Sequence, residues 1–302
     1  MSLHPLPIVQ SCPHAGLGVP AEIRDKIAIT SVDLYNDSDL WADLHYDFAH
    51  ADLAPLTPPG CTRGTLAMVK MPIARALIDV NRHPDDLSNP DGPVKLLTSY
   101  GRAIYKEPPP YSLQVELLNR YWHAYHLELR SALQNHLGEM KLFLDCHSMA
   151  QHGPSSYNYP NAVRPLISLS NLGDAHGEPA EEGGVVSCPG WFIRRAAQIA
   201  DDLFHDLQLL EPTPGVTPPT VAINWPFRGG YIVEQYTRPG YLATDRSNSG
   251  IELPPAMLVE VNRGLFVGDQ NADTPISPPN HARIALIRER LYLWAARVVG
   301  SL

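Results

Sequence analysis

The stretch Lys141-Leu-Phe-Leu-Asp-Cys-His-Ser148 joins a short apolar run to a polar end. This pattern is typical of a buried strand that leads into a loop able to bind a ligand. In open α/β sheets the ligand crevice lies just beyond the carboxyl ends of the strands. We therefore expect His147 to lie near a binding site, although a single histidine after a strand is more often a hydrogen-bonded core residue.

A second segment near the N-terminus has the same design. Residues 7–11 form a candidate strand, and His14 follows it at once. Gly16, Gly18 and Pro20 exclude a regular element there, so the sequence places His14 on a loop. Two histidines in equivalent positions strengthen the case for a shared site.

Length and charge restrict the class of protein. The chain has 302 residues, of which 44% are hydrophobic and 18% are charged. These values fit a globular α/β protein with one large domain or two small ones. The formal charge of -9 argues against a nucleic-acid or anionic-membrane surface. We expect a small-molecule ligand and no membrane span, because no apolar run reaches about 18 residues.

The cysteines and the N-terminus indicate a cytoplasmic protein. Cys12, Cys61, Cys146 and Cys188 are scattered and form no Cys-x-x-Cys pair, so we expect reduced thiols. The first seven residues lack the basic and then apolar pattern of a signal peptide.

Strand and helix patterns alternate along the chain, which predicts a mostly parallel sheet covered on both faces. Strands are expected at residues 7–11, 63–71, 76–80, 141–148, 165–170, 220–224 and 257–263. Helices are expected at residues 111–136, 191–209 and 281–299, with another opened by residues 36–39 and running to residue 48. The pair Gly229-Gly230 predicts either a close approach of backbone or a hairpin turn.

The polar residues at these strand ends suggest metal-assisted hydrolysis. Two imidazoles, His14 and His147, with one carboxylate from residues 37–39 would make a catalytic zinc site. Helix capping explains at least one of the aspartates in this region. Glu260 lies in an apolar strand, where a raised pKa would suit a general base. Asn81-Arg82 offers an amide and a guanidinium that could hold a substrate carboxylate.

Seven segments, in order, resemble the N-formylglutamate amidohydrolase family. They are Ser11-Cys-Pro-His14-Ala-Gly, Asp37-Ser-Asp39-Leu-Trp-Ala-Asp43, Arg75-Ala-Leu-Ile-Asp79-Val-Asn81-Arg82, Tyr121-Trp-His-Ala-Tyr125-His126, Asp145-Cys-His147-Ser148, Pro226-Phe-Arg-Gly-Gly230-Tyr-Ile and Glu260-Val-Asn262-Arg263. The resemblance covers nearly the whole chain and implies a single domain over residues 1–302. It implies an α/β fold of the phosphorylase/hydrolase-like type, a three-layer sandwich with a mixed, mostly parallel sheet.

The resemblance also implies an activity and a set of site residues. Members of the family are metal-dependent enzymes that hydrolyse N-formyl-L-glutamate to formate and L-glutamate in histidine degradation. By motif, one zinc ion would be bound by His14, Asp39 and His147, with Asp39 preferred to Asp37. The residues expected to act in catalysis are Glu260 and Arg82, and those expected to bind substrate are Asn81, Arg82, Arg75, Arg228, Gly229 and Gly230.

One departure from the family pattern concerns specificity. Where the family usually has Thr-Arg-His after Gly-Gly-Tyr-Ile, this chain has Val233-Glu234-Gln235. An anion near the substrate would oppose a second carboxylate, which predicts that N-formylglutamate is a poor substrate. The alternative is that Glu234 faces solvent and that Arg228 or Arg238 supplies the cation.

Two other classes of function remain open at this stage. Cys146 or Ser148 beside His147 could form a nucleophile–base pair, although neighbouring residues of a strand point apart and no nucleophile elbow is present. A binding protein that keeps the pocket without catalysis is the other alternative.

Overall fold

A six-stranded sheet forms the centre of the protein. The computed structural model describes residues 5–49, 64–238, 240–242 and 253–302. The strands are β1 (Leu6–Cys12), β2 (Thr65–Lys70), β3 (Leu142–Met149), β4 (Ile167–Ser170), β5 (Val221–Ile223) and β6 (Ala256–Asn262). Their order across the sheet is β2-β1-β3-β6-β4-β5. All neighbouring strands are parallel except β4 and β6, so the sheet is mixed and mostly parallel, as predicted.

Helices cover both faces of this sheet. They are α1 (Ser31–Asp37), α2 (Ala42–His45), α3 (Tyr111–Leu117), α4 (His123–His136), α5 (Gly190–Phe204), α6 (Tyr231–Thr237) and α7 (His281–Val299). One buried apolar cluster includes residues of α5 and α7, and the other includes residues of α3, α4 and α6. The prediction of an α/β sandwich of three layers is therefore confirmed. No helix within the described residues is long and apolar enough to cross a bilayer.

The alternation of side chains along β3 decides which face carries polar groups. Leu142, Leu144 and Cys146 pack in the cluster that includes α5 and α7, whereas Phe143 packs in the opposite cluster. With a period of two, Asp145 and His147 share the face of Phe143. All eight residues of β3 are buried. The polar end of this strand is thus held inside the protein, on the side of α4.

The predicted strand at residues 76–80 is wrong. These residues are buried but form turns, since the amides of Leu77 and Ile78 both donate to the carbonyl of Ala74. Ile78 forms only an isolated bridge with Val94. A short buried apolar run has the same hydrophobic pattern whether it is a strand or a compact turn. The predicted strand at residues 63–71 corresponds to β2, and Arg63 lies outside the described residues.

Two predicted helix boundaries also differ. Residues 36–39 do not open the predicted helix, because α1 begins earlier with a capping box between Thr30 and Asp33 and ends at Asp37. Of the helix predicted to run to residue 48, only the short α2 is present, and its N-cap is Trp41. Helix α5 ends at Phe204, five residues before the predicted end. The helical region from Tyr111 to His136 is confirmed, with a π-type segment at Leu118–Trp122 between α3 and α4.

Candidate active site

Three buried side chains from separate parts of the chain meet beyond the ends of β1 and β3. His147 Nδ1 lies 2.9 Å from Asp39 Oδ2, and His14 Nδ1 lies 3.4 Å from the same oxygen. The two imidazole centroids are 4.8 Å apart. One ligand atom from each residue lies within 4.8 Å of the other two, an arrangement that could hold a metal ion. The structure thus brings together the three residues that the sequence suggested as ligands.

The backbone explains why Asp39, and not Asp37, reaches this point. The amide of Asp39 donates to the carbonyl of His14, at 3.0 Å, and Asp39 Oδ2 accepts from the amide of Ser148. Asp37 instead accepts from the amide of Ser99. Burial alone would raise the pKa of Asp39, but the neighbouring imidazoles of His14 and His147 hold that pKa well below its usual value. The carboxylate is therefore kept in its charged form.

Each histidine is fixed from behind by a buried carboxylate. His14 Nε2 lies 2.8 Å from Asp79 Oδ1, and His147 Nε2 lies 3.0 Å from Asp145 Oδ2. These contacts orient both rings so that Nδ1 points to the shared site, as is usual for metal-binding histidines. His14 Nδ1 is buried and has no hydrogen-bond partner among the described residues. The donor set, its orientation and this open nitrogen all fit a bound divalent metal ion.

The two supporting carboxylates are themselves hydrogen-bonded. Asp145 Oδ1 accepts from Ser11 Oγ at 2.7 Å, and Ser11 Oγ lies 2.8 Å from the hydroxyl of Tyr125 on α4. Asp79 Oδ2 accepts from Arg75 Nη2 at 2.9 Å. No role was predicted for Asp145, Asp79 or Ser11. Ser11 and Asp145 stand close to His14 and His147 in the sequence, which was the one available signal for them, whereas Asp79 comes from the turns at residues 76–80.

Glu260 lies next to the histidines because of strand register. In the β3–β6 pair its Cα is opposite that of His147. The side chain is buried, and Oε2 has no hydrogen-bond partner among the described residues. Burial raises the pKa of Glu260 to about 7, while the nearby His147 lowers it in part. This is the environment expected of a carboxylate that exchanges protons near neutral pH.

Two cavities meet at Glu260. The first, which we call the histidine cavity, is lined by His14, Arg75, Asn81, Arg82, His147, Tyr157, Phe227, Gly229, Leu258 and Glu260. The second, which we call the arginine cavity, is lined by Asn36, Asp37, Asp39, Arg75, Ser99, Tyr100, Ser148, Met149, Pro154, Tyr157, Arg164, Phe227, Glu260 and Arg263. Arg75, Tyr157, Phe227 and Glu260 line both. Tyr157 and Arg164 were missed by the sequence analysis, because nothing in their local sequence marks them.

The Asn81-Arg82 pair lies in the histidine cavity but is partly engaged by other protein groups. Arg82 Nε and Nη2 donate to the carbonyl and carboxylate of Asp91, at 3.1 and 2.9 Å. Asn81 Oδ1 accepts from the amide of Ile232 at 2.9 Å. Behind this loop, His126 Nε2 lies 2.8 Å from the carbonyl of Val80. These contacts fix the loop, and both Asn81 and Arg82 still line the histidine cavity.

The Gly229-Gly230 pair allows a close approach of backbone. A Cβ on Gly230 would lie 2.3 Å from Asn81 Nδ2, so only glycine fits beside Asn81. The alternative of a hairpin turn is wrong, because the pair leads into α6. Gly229 lines the histidine cavity. The side chain of Arg228 is exposed, and among the described residues it lines neither cavity.

Glu234 faces solvent, which is the second of the two alternatives that the sequence left open. Its side chain is 54% exposed and forms an ion pair with Arg238, at 2.8 Å. On the same turn of α6, Val233 is fully buried in the core instead. The predicted conflict between Glu234 and a substrate carboxylate therefore has no structural basis.

The geometry does not favour a nucleophile at Cys146 or Ser148. Cys146 packs in the apolar cluster on the face opposite His147, and burial raises the pKa of its thiol well above the usual value. Ser148 Oγ has no hydrogen-bond partner among the described residues. Both nitrogens of His147 already face Asp39 and Asp145. Cys12, Cys146 and Cys188 are free thiols, as expected, and Cys61 lies outside the described residues.

Comparison with known proteins identifies the family and the fold of this chain. The model of the family described as N-formylglutamate amidohydrolase matches residues 6–282. A solved structure of N-formylglutamate amidohydrolase from Ralstonia eutropha JMP134 is 18% identical in sequence and has a TM-score of 0.63. The match covers 99% of this chain and 96% of that one, and it shows a shared fold. No curated protein matches. The chain therefore belongs to the N-formylglutamate amidohydrolase family.

Proposed function

We propose that this protein is a zinc-dependent amidohydrolase that cleaves an N-acyl amino acid of the N-formylglutamate type. The reaction would convert N-formyl-L-glutamate and water into formate and L-glutamate. The observation that carries the proposal is the buried set of His14, Asp39 and His147, with each histidine backed by a carboxylate. Family membership and the activity named for the solved relative support the same reaction.

The donor set suits zinc better than a harder cation. Two imidazole nitrogens and one carboxylate oxygen are typical of catalytic zinc sites that leave a position open, whereas Mg²⁺ and Ca²⁺ prefer oxygen ligands. When bound here, a zinc ion would polarise the substrate carbonyl and acidify water. His14, Asp39 and His147 would hold the ion, and Asp79 and Asp145 would keep the two imidazoles in the required orientation.

Glu260 is suited to carry the proton. As a carboxylate it would accept a proton from the water whose oxygen attacks the acyl carbon. It would then give that proton to the amine nitrogen as the carbon–nitrogen bond breaks. Its buried, unpartnered Oε2 and its place at the junction of the two cavities support this role. Beside a bound cation, the pKa of Glu260 would fall below about 7, which favours the carboxylate at neutral pH.

The cationic residues of the histidine cavity would position the substrate. We assign the α-carboxylate to Arg82 and Asn81, and we place Arg75 between substrate and the metal ligands. Arg75 Nη1 lies 3.8 Å from Asp39 Oδ1, and Nη2 donates to the hydroxyl of Tyr157 at 3.3 Å. We also propose a place in histidine degradation, a cytoplasmic location and a single domain over residues 1–302.

The metal assignment is tested by elemental analysis of protein purified without chelator. We expect one zinc per chain, and we expect His147→Ala to bind the ion at least about 10-fold more weakly, because a direct ligand is removed. His281→Ala, an exposed histidine at the start of α7, is the matched control and should retain the metal. Wild-type protein without a transition metal, or a His147→Ala variant with unchanged affinity, would contradict the assignment.

The role of Glu260 is tested by Glu260→Gln, which keeps the shape of the side chain and removes its charge. We expect normal zinc content and a turnover number lower by about 10²–10⁴-fold, the usual loss of a general base. Glu234→Gln removes an exposed carboxylate and should keep wild-type activity. Turnover by Glu260→Gln within a few-fold of wild type would assign proton transfer to another group.

A further inference from the structure

The arginine cavity contains a buried cation, Arg164, that forms no ion pair with any of the described residues. Arg164 is 3% exposed, and its Nη2 has no hydrogen-bond partner among the described residues. Within the part of the chain that the structure describes, no carboxylate lies within 4.0 Å of its guanidinium. Burial of a cation outside an ion pair is unfavourable. It lowers the pKa of Arg164 to about 10, although Glu260, which lines the same cavity, acts in the opposite direction.

The other arginines of the two cavities are already engaged. Arg75 donates to Asp79, and Arg82 donates to Asp91. Arg263 donates through Nη1 to the carbonyls of Asn36 and Ser38. Arg164 differs from all three, because its Nη2 has no hydrogen-bond partner among the described residues and its guanidinium lies over the face of Phe227, with Cζ 5.0 Å from the ring centroid. It is therefore the cation best placed to receive an anion from outside the chain.

The position of Arg164 is fixed by its backbone. Its amide donates to the carbonyl of Gln151 at 2.9 Å, and its own carbonyl accepts from Asn262 Nδ2 at 3.1 Å. Asn262 is the last residue of β6, two positions after Glu260. The same strand thus places Glu260 and supports the backbone of Arg164. The guanidinium itself is buried and packs over the ring of Phe227, which restricts its motion. A held guanidinium binds a carboxylate with little loss of conformational entropy.

We propose that Arg164 is a specificity-determining residue that binds a second carboxylate of the substrate in the arginine cavity. This assignment rests on the proposed function. The α-carboxylate would lie with Arg82 in the histidine cavity, the acyl group would lie at Glu260, and the side-chain carboxylate would reach Arg164. The substrate class is then an N-acylated dicarboxylic amino acid. This reverses the prediction drawn from Glu234, which lies at the surface with Arg238.

Kinetics with matched substrates tests the assignment. For wild type we expect kcat/KM for N-formyl-L-glutamate to exceed that for N-formyl-L-glutamine by about 100-fold, since the charged group pairs with a desolvated guanidinium. In Arg164→Met the value for the glutamate compound should fall about 100-fold, mainly through KM, while the glutamine compound changes less than about 5-fold. Arg164→Lys should recover part of the lost kcat/KM for the glutamate compound. Lysine restores the positive charge but not the two parallel N–H groups with which a guanidinium binds a carboxylate.

Two control variants distinguish a loss of substrate preference from a general effect of substitution on the protein. Arg194→Met removes an exposed guanidinium on α5. Glu234→Gln removes the carboxylate that, in the prediction from the sequence, would oppose a second substrate carboxylate. Both should leave the preference for the glutamate compound unchanged. An equal loss for both substrates in Arg164→Met would overturn the proposal, and so would wild type that does not discriminate. Zinc content is measured for each variant, so that loss of metal is recognised.

A binding measurement keeps this proposal distinct from the proposed reaction. If wild type hydrolyses none of the N-formyl compounds, the proposed function fails, but the anion site is still testable. Calorimetry on metal-loaded protein would compare L-glutamate, glutarate and L-glutamine. We expect L-glutamate and glutarate, each of which has two carboxylates, to bind wild type at least about 10-fold more tightly than Arg164→Met, and L-glutamine to bind both proteins alike. Equal binding of all three probes by both proteins would refute the role of Arg164.

Discussion

His45 is a polar residue in an apolar position, between the rings of Tyr46 and Phe266 at centroid distances of 4.8 and 5.1 Å. It is fully buried, and neither ring nitrogen has a hydrogen-bond partner among the described residues. Burial lowers the pKa of His45 to about 3, and Arg288 acts in the same direction while Asp39 opposes it. The imidazole is therefore neutral in the folded protein at ordinary pH.

This neutral imidazole makes stability depend on pH. In the unfolded chain a histidine has a pKa of about 6.5, so between pH 6.5 and about 3 the unfolded state binds a proton that the folded state does not. The free energy of unfolding therefore falls as pH falls through this window. At pH 5 the loss from this single residue is about 2 kcal/mol.

We predict that His45→Phe reduces this acid sensitivity. At pH 7.5 the variant should be as stable as wild type or more so, because it removes two buried nitrogens without partners. Relative to wild type it should gain about 2 kcal/mol more at pH 5.0. Urea unfolding at both pH values measures the difference, and effects of pH on the metal ligands cancel between the two proteins. His281→Phe, on the surface, should show no such gain, and an equal difference at both pH values would refute the explanation.

At the scale of elements, the sequence predicted what depends on local pattern. The apolar run before Asp145, the helical period of residues 111–136 and the final helix at residues 281–299 all appear as expected. Each of these segments has either a clear hydrophobic period or polar residues that mark its end, and both signals can be read from neighbouring residues alone. The placement of His14 and His147 near one another also followed, because parallel strands end at the same edge of a sheet.

The errors lie where the same local pattern fits two structures. The buried run at residues 76–80 carries Asp79 to His14 by means of turns, and nothing in its composition distinguishes this from a strand. Residues 36–39 have the composition of a helix start, yet they end α1 and bring Asp39 to His147. In both cases the contact that selects the structure is made with a residue distant in sequence.

The same reason explains which site residues were missed. Arg164 and Tyr157 enter the cavities from loops. The roles of both residues depend on neighbours that are distant in sequence, so the local sequence does not predict them. Glu260 was found because a carboxylate inside an apolar strand stands out in the sequence. The sequence left open whether Glu234 faces the site or solvent, because the face of α6 on which it lies is set by the packing of Ile232 and Val233.

At the scale of the whole molecule, the candidate metal site joins parts of the chain that are otherwise far apart. His14 follows β1, Asp39 lies between α1 and α2, and His147 lies near the end of β3. Large apolar clusters pack on both faces of the sheet independently of these side chains. The protein should therefore fold without metal, unlike a small zinc-binding domain, and should gain stability when zinc binds.

We predict that zinc raises the free energy of unfolding in proportion to the logarithm of its free concentration. At a free zinc concentration 1,000 times the dissociation constant the gain is about 4 kcal/mol, and it is smaller if the unfolded chain also binds zinc. Urea unfolding of chelator-treated protein in buffered zinc solutions measures the slope. His147→Ala should unfold cooperatively with little dependence on zinc in the same range, because a ligand is missing. A zinc-dependent gain of the same size in wild type and in His147→Ala would show that the ion binds elsewhere. Metal-free wild type that does not unfold cooperatively would show that the apolar clusters alone cannot maintain the fold.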